Sequence, residues 1–171
     1  GKIRPSKKLQ DTLSSMLDGN KEFIMIDEQK IAYELAVKMA RESYIDDKKR
    51  VLIVEGGPGT GKSVVAINLL VDLMADDMIS LYVTKNSAPR NVFFERLRGS
   101  NFTQSYLKTL FKGSGSFTQS NSNDFDVLIV DEAHRLNKKS GLFSNLGENQ
   151  IKEIINAAKF SIFFIDKHQK V

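Results

Sequence analysis

The chain has 171 residues, with 25 Lys and Arg against 21 Asp and Glu for a net charge of +4, and no cysteine. That length suits one domain able to bury about 70% of its unfolded surface, and the missing thiols exclude a disulfide framework and thiolate metal sites. No apolar run approaches the ~20 residues of a membrane span and the early residues lack the apolar stretch of a secretion signal, so a soluble, cytoplasmic, monomeric protein with no membrane partner is expected.

Residues 6–18 place Leu9, Leu13, Met16 and Leu17 on one helical face, entered through Pro5-Ser6 and stopped by Gly19. This predicts a flanking amphipathic helix within residues 1–20, ahead of a single domain over 21–171. A second helix should start near Asp27, with Ile31, Leu35 and Met39 in register and Ala32, Ala36 and Ala40 permitting close packing. The charged run Asp46-Asp47-Lys48-Lys49-Arg50 reads as a solvated turn into the first strand.

The stretch Val51-Leu52-Ile53-Val54-Glu55-Gly56-Gly57-Pro58-Gly59-Thr60-Gly61-Lys62-Ser63 then passes from an apolar strand through four glycines straight into a helical pattern that runs to Ala75. A loop that wraps a polyphosphate needs positive-φ backbone and no side chain between its N–H groups and the anion, and the next helix aims its N-terminal donors at the same point. Gly57, Pro58, Gly59, Thr60, Gly61, Lys62, Ser63 and Val64 are therefore the candidate nucleotide-binding residues. Lys62 would reach the β- and γ-phosphates and Ser63 would ligate magnesium.

Ile79 to Thr84 reads as a second strand, and residues 87–98 as a helix capped by Ser87. Residues 99–111 carry no single period, and the Gly, Ser, Asn and Thr of 112–124 suggest an exposed loop. Phe125 to Val130 is a continuous apolar run, as a parallel strand covered on both faces requires, and it delivers Asp131-Glu132-Ala133-His134 at its carboxyl end. Two adjacent carboxylates after a buried strand need a cation or an acid–base task to hold them there. Asp131 fits the magnesium carboxylate and Glu132 the group that orients and deprotonates an attacking water. His134 is expected to hydrogen-bond across the site, since no second His or Cys stands at zinc-ligand spacing. A helix around residues 151–158 leads into a fourth strand, Phe160 to Ile165, ending at Asp166, with Gln169 placed to sense the γ-phosphate. Repeated strand–helix alternation predicts an α/β fold with a parallel sheet, helices on both faces, and ligands at the strands' carboxyl ends.

Gly-Gly-Pro-Gly-Thr-Gly-Lys-Ser, Asp-Glu-Ala-His and the downstream Asp-x-x-Gln together resemble the ATPase core of superfamily 1 DNA/RNA helicases. From about Phe23 to the C-terminus, residues 52–63, Tyr82 to Arg90 and Asp126 to Leu136 look more closely like the Schlafen-group-3-like helicase-domain family. The resemblance implies a three-layer αβα, RecA-like P-loop lobe using ATP and Mg2+ as an acid-anhydride hydrolase. It also implies that Gln29 reads adenine and that Thr84, Lys85, Asn86 and Arg90 hold the backbone of single-stranded DNA or RNA. Motors of this kind close their site with a second RecA-like lobe that carries arginine fingers. The expectation is therefore a helicase or translocase lobe that binds Mg-ATP and turns it over slowly by itself; the alternative is a nucleotide-dependent regulatory ATPase switch acting on a protein partner.

Overall fold

A computed structural model describes residues 11, 24–57, 61–84, 108–136 and 149–166 of the chain. Among them lie three helices, α1 (Asp27–Asp46), α2 (Lys62–Ala75) and α3 (Gln150–Ala157), and five strands. The strands are β1 (Arg50–Gly56), β2 (Ser80–Val83), β3 (Phe111–Lys112), β4 (Phe125–Val130) and β5 (Ala158–Asp166). All pairings are parallel, in the order β1-β5-β4-β2-β3. The expected α/β sheet is therefore present.

The central strands bury both faces because, Ser161 of β5 apart, they are apolar away from their ends. On one face Tyr82, Val127, Ile129, Phe160, Ile162 and Phe164 meet α1 and α2, and Leu69, Leu70 and Leu73 of α2 are fully buried there. On the other face Leu81, Leu128, Val130 and Phe163 meet Ile154 and Ala157 of α3. This is a three-layer αβα arrangement.

Three local expectations are corrected. In α1 the inward stripe is Ala36, Ala40 and Ser43, whereas Ile31 and Leu35 are 68% and 44% exposed. The small residues win because they let the backbone of α1 approach α2, where Tyr33 donates to the Asp72 carboxylate. The polar segment 112–124 is ordered: after β3 a short 3-10 turn, Ser114–Phe117, buries Ser114 and Phe117, and Phe117 packs edge-on against Phe125 at 5.8 Å. The charged turn before β1 is built into the fold. Lys49 Nζ donates to the carbonyls of Ile155, Asn156 and Ala158, satisfying the C-terminal end of α3. The helices expected at 6–18 (apart from Asp11) and 87–98 lie outside the described residues. No described helix is long and apolar enough to cross a membrane.

Ala36→Leu should destabilise the chain by about 1–3 kcal/mol through overpacking, while Ile31→Ala should change stability by less than about 0.5 kcal/mol. Urea unfolding midpoints of the two variants check this orientation of α1; the reverse ranking would refute it.

Candidate functional site

Parallel pairing brings four chain segments out on one rim. Gly56 at the end of β1 pairs with Asp166 at the end of β5, and β4 reaches Val130 opposite Phe163, so Gly57, Asp131 and Asp166 leave the sheet on the same side. Thr84, following β2, joins them there, its amide donating to the carbonyl of Lys112. The expected convergence of the glycine-rich loop and the acidic pair on one edge is thus present in the strand topology.

At the start of α2, Gly61 is the N-cap, with φ of 77° and no side-chain oxygen to cap the first turn. A side chain there would be strained and would also strike Gln29, whose Nε2 lies 1.9 Å from where a Cβ would sit. Gln29 is held at its other end, where Oε1 accepts from the amide of Ile26 at 2.9 Å, so its amino group is turned toward the loop. A cleft lined by Gln29, Ala32, Val54, Gly56, Lys62 and Phe164 runs between the start of α1 and the loop. Val64 and Val65 donate to the Gly61 carbonyl, and Ser63 is exposed on the first turn. Pro58, Gly59 and Thr60 lie outside the described residues.

Lys62 bends back over the loop. Its ammonium donates to the carbonyls of Gly56 at 3.1 Å and Gly57 at 3.0 Å and pairs with the Asp166 carboxylate at 2.6 Å. The ammonium holds that carboxyl below the usual carboxylate range. The Asp166 amide in turn donates to His134 Nδ1 at 3.3 Å, which bears out the expected bond from His134 across the site.

Asp131 is the buried acid. Its Oδ2 accepts from the Tyr82 hydroxyl at 3.0 Å. Burial pushes the carboxyl up to about 6, against the opposing pull of the Thr84 and Tyr82 hydroxyls that donate to it. Oδ1 is buried with no hydrogen-bond partner. Glu132 sits at φ 44° and ψ 45°, a left-handed conformation costing a non-glycine residue about 1–3 kcal/mol, and its Oε2 lies 3.5 Å from the Arg135 guanidinium.

Thr84 is 2% exposed and turned toward Asp131, so its side chain serves the acid rather than an outward surface. Lys85, Asn86, Arg90 and Gln169 lie outside the described residues. Tyr82 is the site residue that sequence reasoning missed. Within an apolar strand a tyrosine reads as core, and only the β4–β2 pairing reveals that its hydroxyl meets Asp131.

The chain belongs to the Schlafen group 3 DNA/RNA helicase domain family, whose model matches residues 49–171. The match begins later than Phe23, so α1 and Gln29 stand ahead of it. None of the curated proteins compared with the chain matches it.

A raised carboxyl binds its proton more tightly folded than unfolded, so the stability it contributes is present at low pH and is lost as pH rises through about 4 to 6. In chelator-containing buffer, Asp131→Asn should therefore gain on the parent chain across that interval by up to about 3 kcal/mol. Urea unfolding at pH 4, 5, 6 and 7 checks it; parallel curves for the two proteins would contradict it.

Proposed function

We propose that this lobe binds and hydrolyses Mg-ATP as the motor lobe of a helicase or translocase acting on single-stranded DNA or RNA. What supports the reading above all is one observation. The helix-opening Lys62 and the buried Asp131 share a rim, linked through Asp166 and His134.

The residues fit a magnesium ion. Asp131 keeps one buried carboxylate oxygen without a partner, and Ser63 offers an exposed hydroxyl on the first turn of α2. Magnesium keeps several water and phosphate oxygens and takes one or two protein ligands, so a hydroxyl and a carboxylate suffice for it. Such an ion supplies charge neutralisation across the β- and γ-phosphates.

The chain's own residues supply the rest. Gly57 to Val64 form the anion cradle, Lys62 holds phosphate oxygens, and Gln29 offers its amino group to a base. Glu132 orients water and takes its proton, and Gln169 senses the terminal phosphate. Lys85, Asn86 and Arg90 are proposed to hold a nucleic-acid backbone, which lysine, arginine and short polar side chains do without reading sequence. Turnover by the isolated chain should be slow. Of the three arginines among the described residues, Arg41 and Arg50 pair with Asp76 and Asp46 away from this rim, and Arg135 is paired with Glu132 on it. A missing arginine at the transition state lowers phosphoryl transfer by roughly 10³ to 10⁵.

Lys62→Met should abolish ATP binding in a calorimetric titration. Glu132→Gln should keep binding and lower phosphate release about 10²- to 10⁴-fold. In the full-length protein, single-stranded DNA or RNA should stimulate hydrolysis, and the stimulation should fall steeply with added salt. Hydrolysis indifferent to every nucleic acid would instead favour a regulatory switch.

A further inference from the structure

Lys62 makes a contact that the proposed chemistry does not use. Its ammonium is paired at 2.6 Å with Asp166, and both side chains are largely shielded, at 19% and 16% exposure. The two residues are far apart in sequence, and the register that pairs Gly56 with Asp166 is what brings them together. Two loop carbonyls also accept from the ammonium. A shielded cation with its donors spent on a carboxylate and two carbonyls cannot hold a phosphate oxygen in the same position.

Asp166 is itself held in place. Its backbone amide donates to His134 Nδ1, and His134 belongs to the short turn Ala133–Arg135 that follows the acidic pair. An imidazole whose Nδ1 accepts carries its proton on Nε2, and that nitrogen is buried without a partner. The carboxylate is therefore tied to the acidic-pair turn through its own main chain while its side chain occupies Lys62. Binding of an anion by Lys62 must break this ion pair, and the freed carboxylate sits on the residue tethered to that turn.

We propose that Asp166 is a positioning residue that competes with phosphate for Lys62: it pairs with the ammonium, yields it when a triphosphate enters, and through His134 reports the exchange to the Asp131-Glu132 turn. This rests on the nucleotide-binding reading above. It gives Asp166 a role in competing for Lys62 that a group acting only on bound nucleotide would not have.

The consequence is opposite in sign to the loss expected of a residue that touches nucleotide. Affinity for a ligand is reduced by the fraction of molecules whose site is competent, so removing the competing carboxylate should tighten binding. Calorimetric titration of the chain with ATP, inorganic tripolyphosphate and adenosine decides it, with far-UV dichroism confirming that each variant is folded. Asp166→Asn and Asp166→Ser should both bind ATP and tripolyphosphate roughly 5- to 10-fold more tightly than the parent, with adenosine unchanged. His134→Ala should shift ATP affinity in the same direction by a smaller factor. If the parent binds ATP, Lys62→Met does not, and the Asp166 variants bind no better or worse than the parent, the stand-in role is wrong while the nucleotide reading stands. If Asp166 is relieved as expected but His134→Ala leaves affinity unchanged, the link to the acidic turn is overturned. Failure of parent and Asp166 variants alike to bind ATP or tripolyphosphate would remove the nucleotide reading and this inference with it.

Discussion

The position of β5 is the constraint on which the site depends. It is the last described strand in the sequence, yet it lies between β1 and β4 and pairs with both in parallel. Phe160, Ile162 and Phe164 point from it into the larger core at 1% exposure or less. Parallel neighbours end on the same side, so this one placement puts the glycine-rich loop and the acidic pair on a common rim with Asp166 between them. Were β5 to pair elsewhere, Lys62 and Asp131 would belong to unrelated edges.

The two rims of the sheet use charge differently. At the amino ends of the strands several charges have structural company. Arg50 is bidentate to Asp46, Lys49 satisfies the end of α3, Lys159 bridges Asp47 and Asp126, and Asp126 accepts from the amide of Ile79. At the carboxyl ends the arrangement is less comfortable. Asp131 Oδ1 and His134 Nε2 are buried without hydrogen-bond partners, Glu132 Oε2 has only the long ion pair to Arg135, and Glu132 holds a left-handed backbone. Buried polar atoms are normally satisfied, so their concentration in one turn makes it the energetically costly part of the described fold, and it is the turn on which the proposed chemistry rests. Ser161 Oγ, in the middle of β5, is a further buried atom without a partner, and we have no physical account of it.

Much of this was readable before the fold was known, for physical reasons. The run from Val51 to Ala75 changes period at a glycine-rich turn, and the apolar segments of β4 and β5 end abruptly in acids, so element type and polarity followed from the residues themselves. Strand order did not follow, because nothing within a strand states its neighbour. The pairing of Lys62 with Asp166 and the donation from Tyr82 to Asp131 depend on that order and were equally hidden. The two residues of β3 are too few to carry a period. In α1 the expected close packing through Ala36 and Ala40 is present, whereas Ile31 and Leu35, to which hydrophobicity also pointed, lie outward. Phe117 is a single aromatic in a polar stretch, and no pattern distinguishes a plug from a loop on one residue. Gln29 shows the same limit: its contact with Gly61 comes from two segments that meet only in three dimensions.

The outer border of β1 has a practical consequence. Among the described residues this strand is paired on one side only, it is seven residues long, and its Val51 and Ile53 are 37% and 57% exposed. Natural sheets blunt such borders with charge, proline, a bulge or a covering element, because an open ladder of amides beside apolar side chains is a template for further strands. Among the described residues of the strand itself the charges are Arg50 and Glu55, near its two extremities. A border of this composition favours the pairing of one ladder with another at high concentration, and dilution disfavours it.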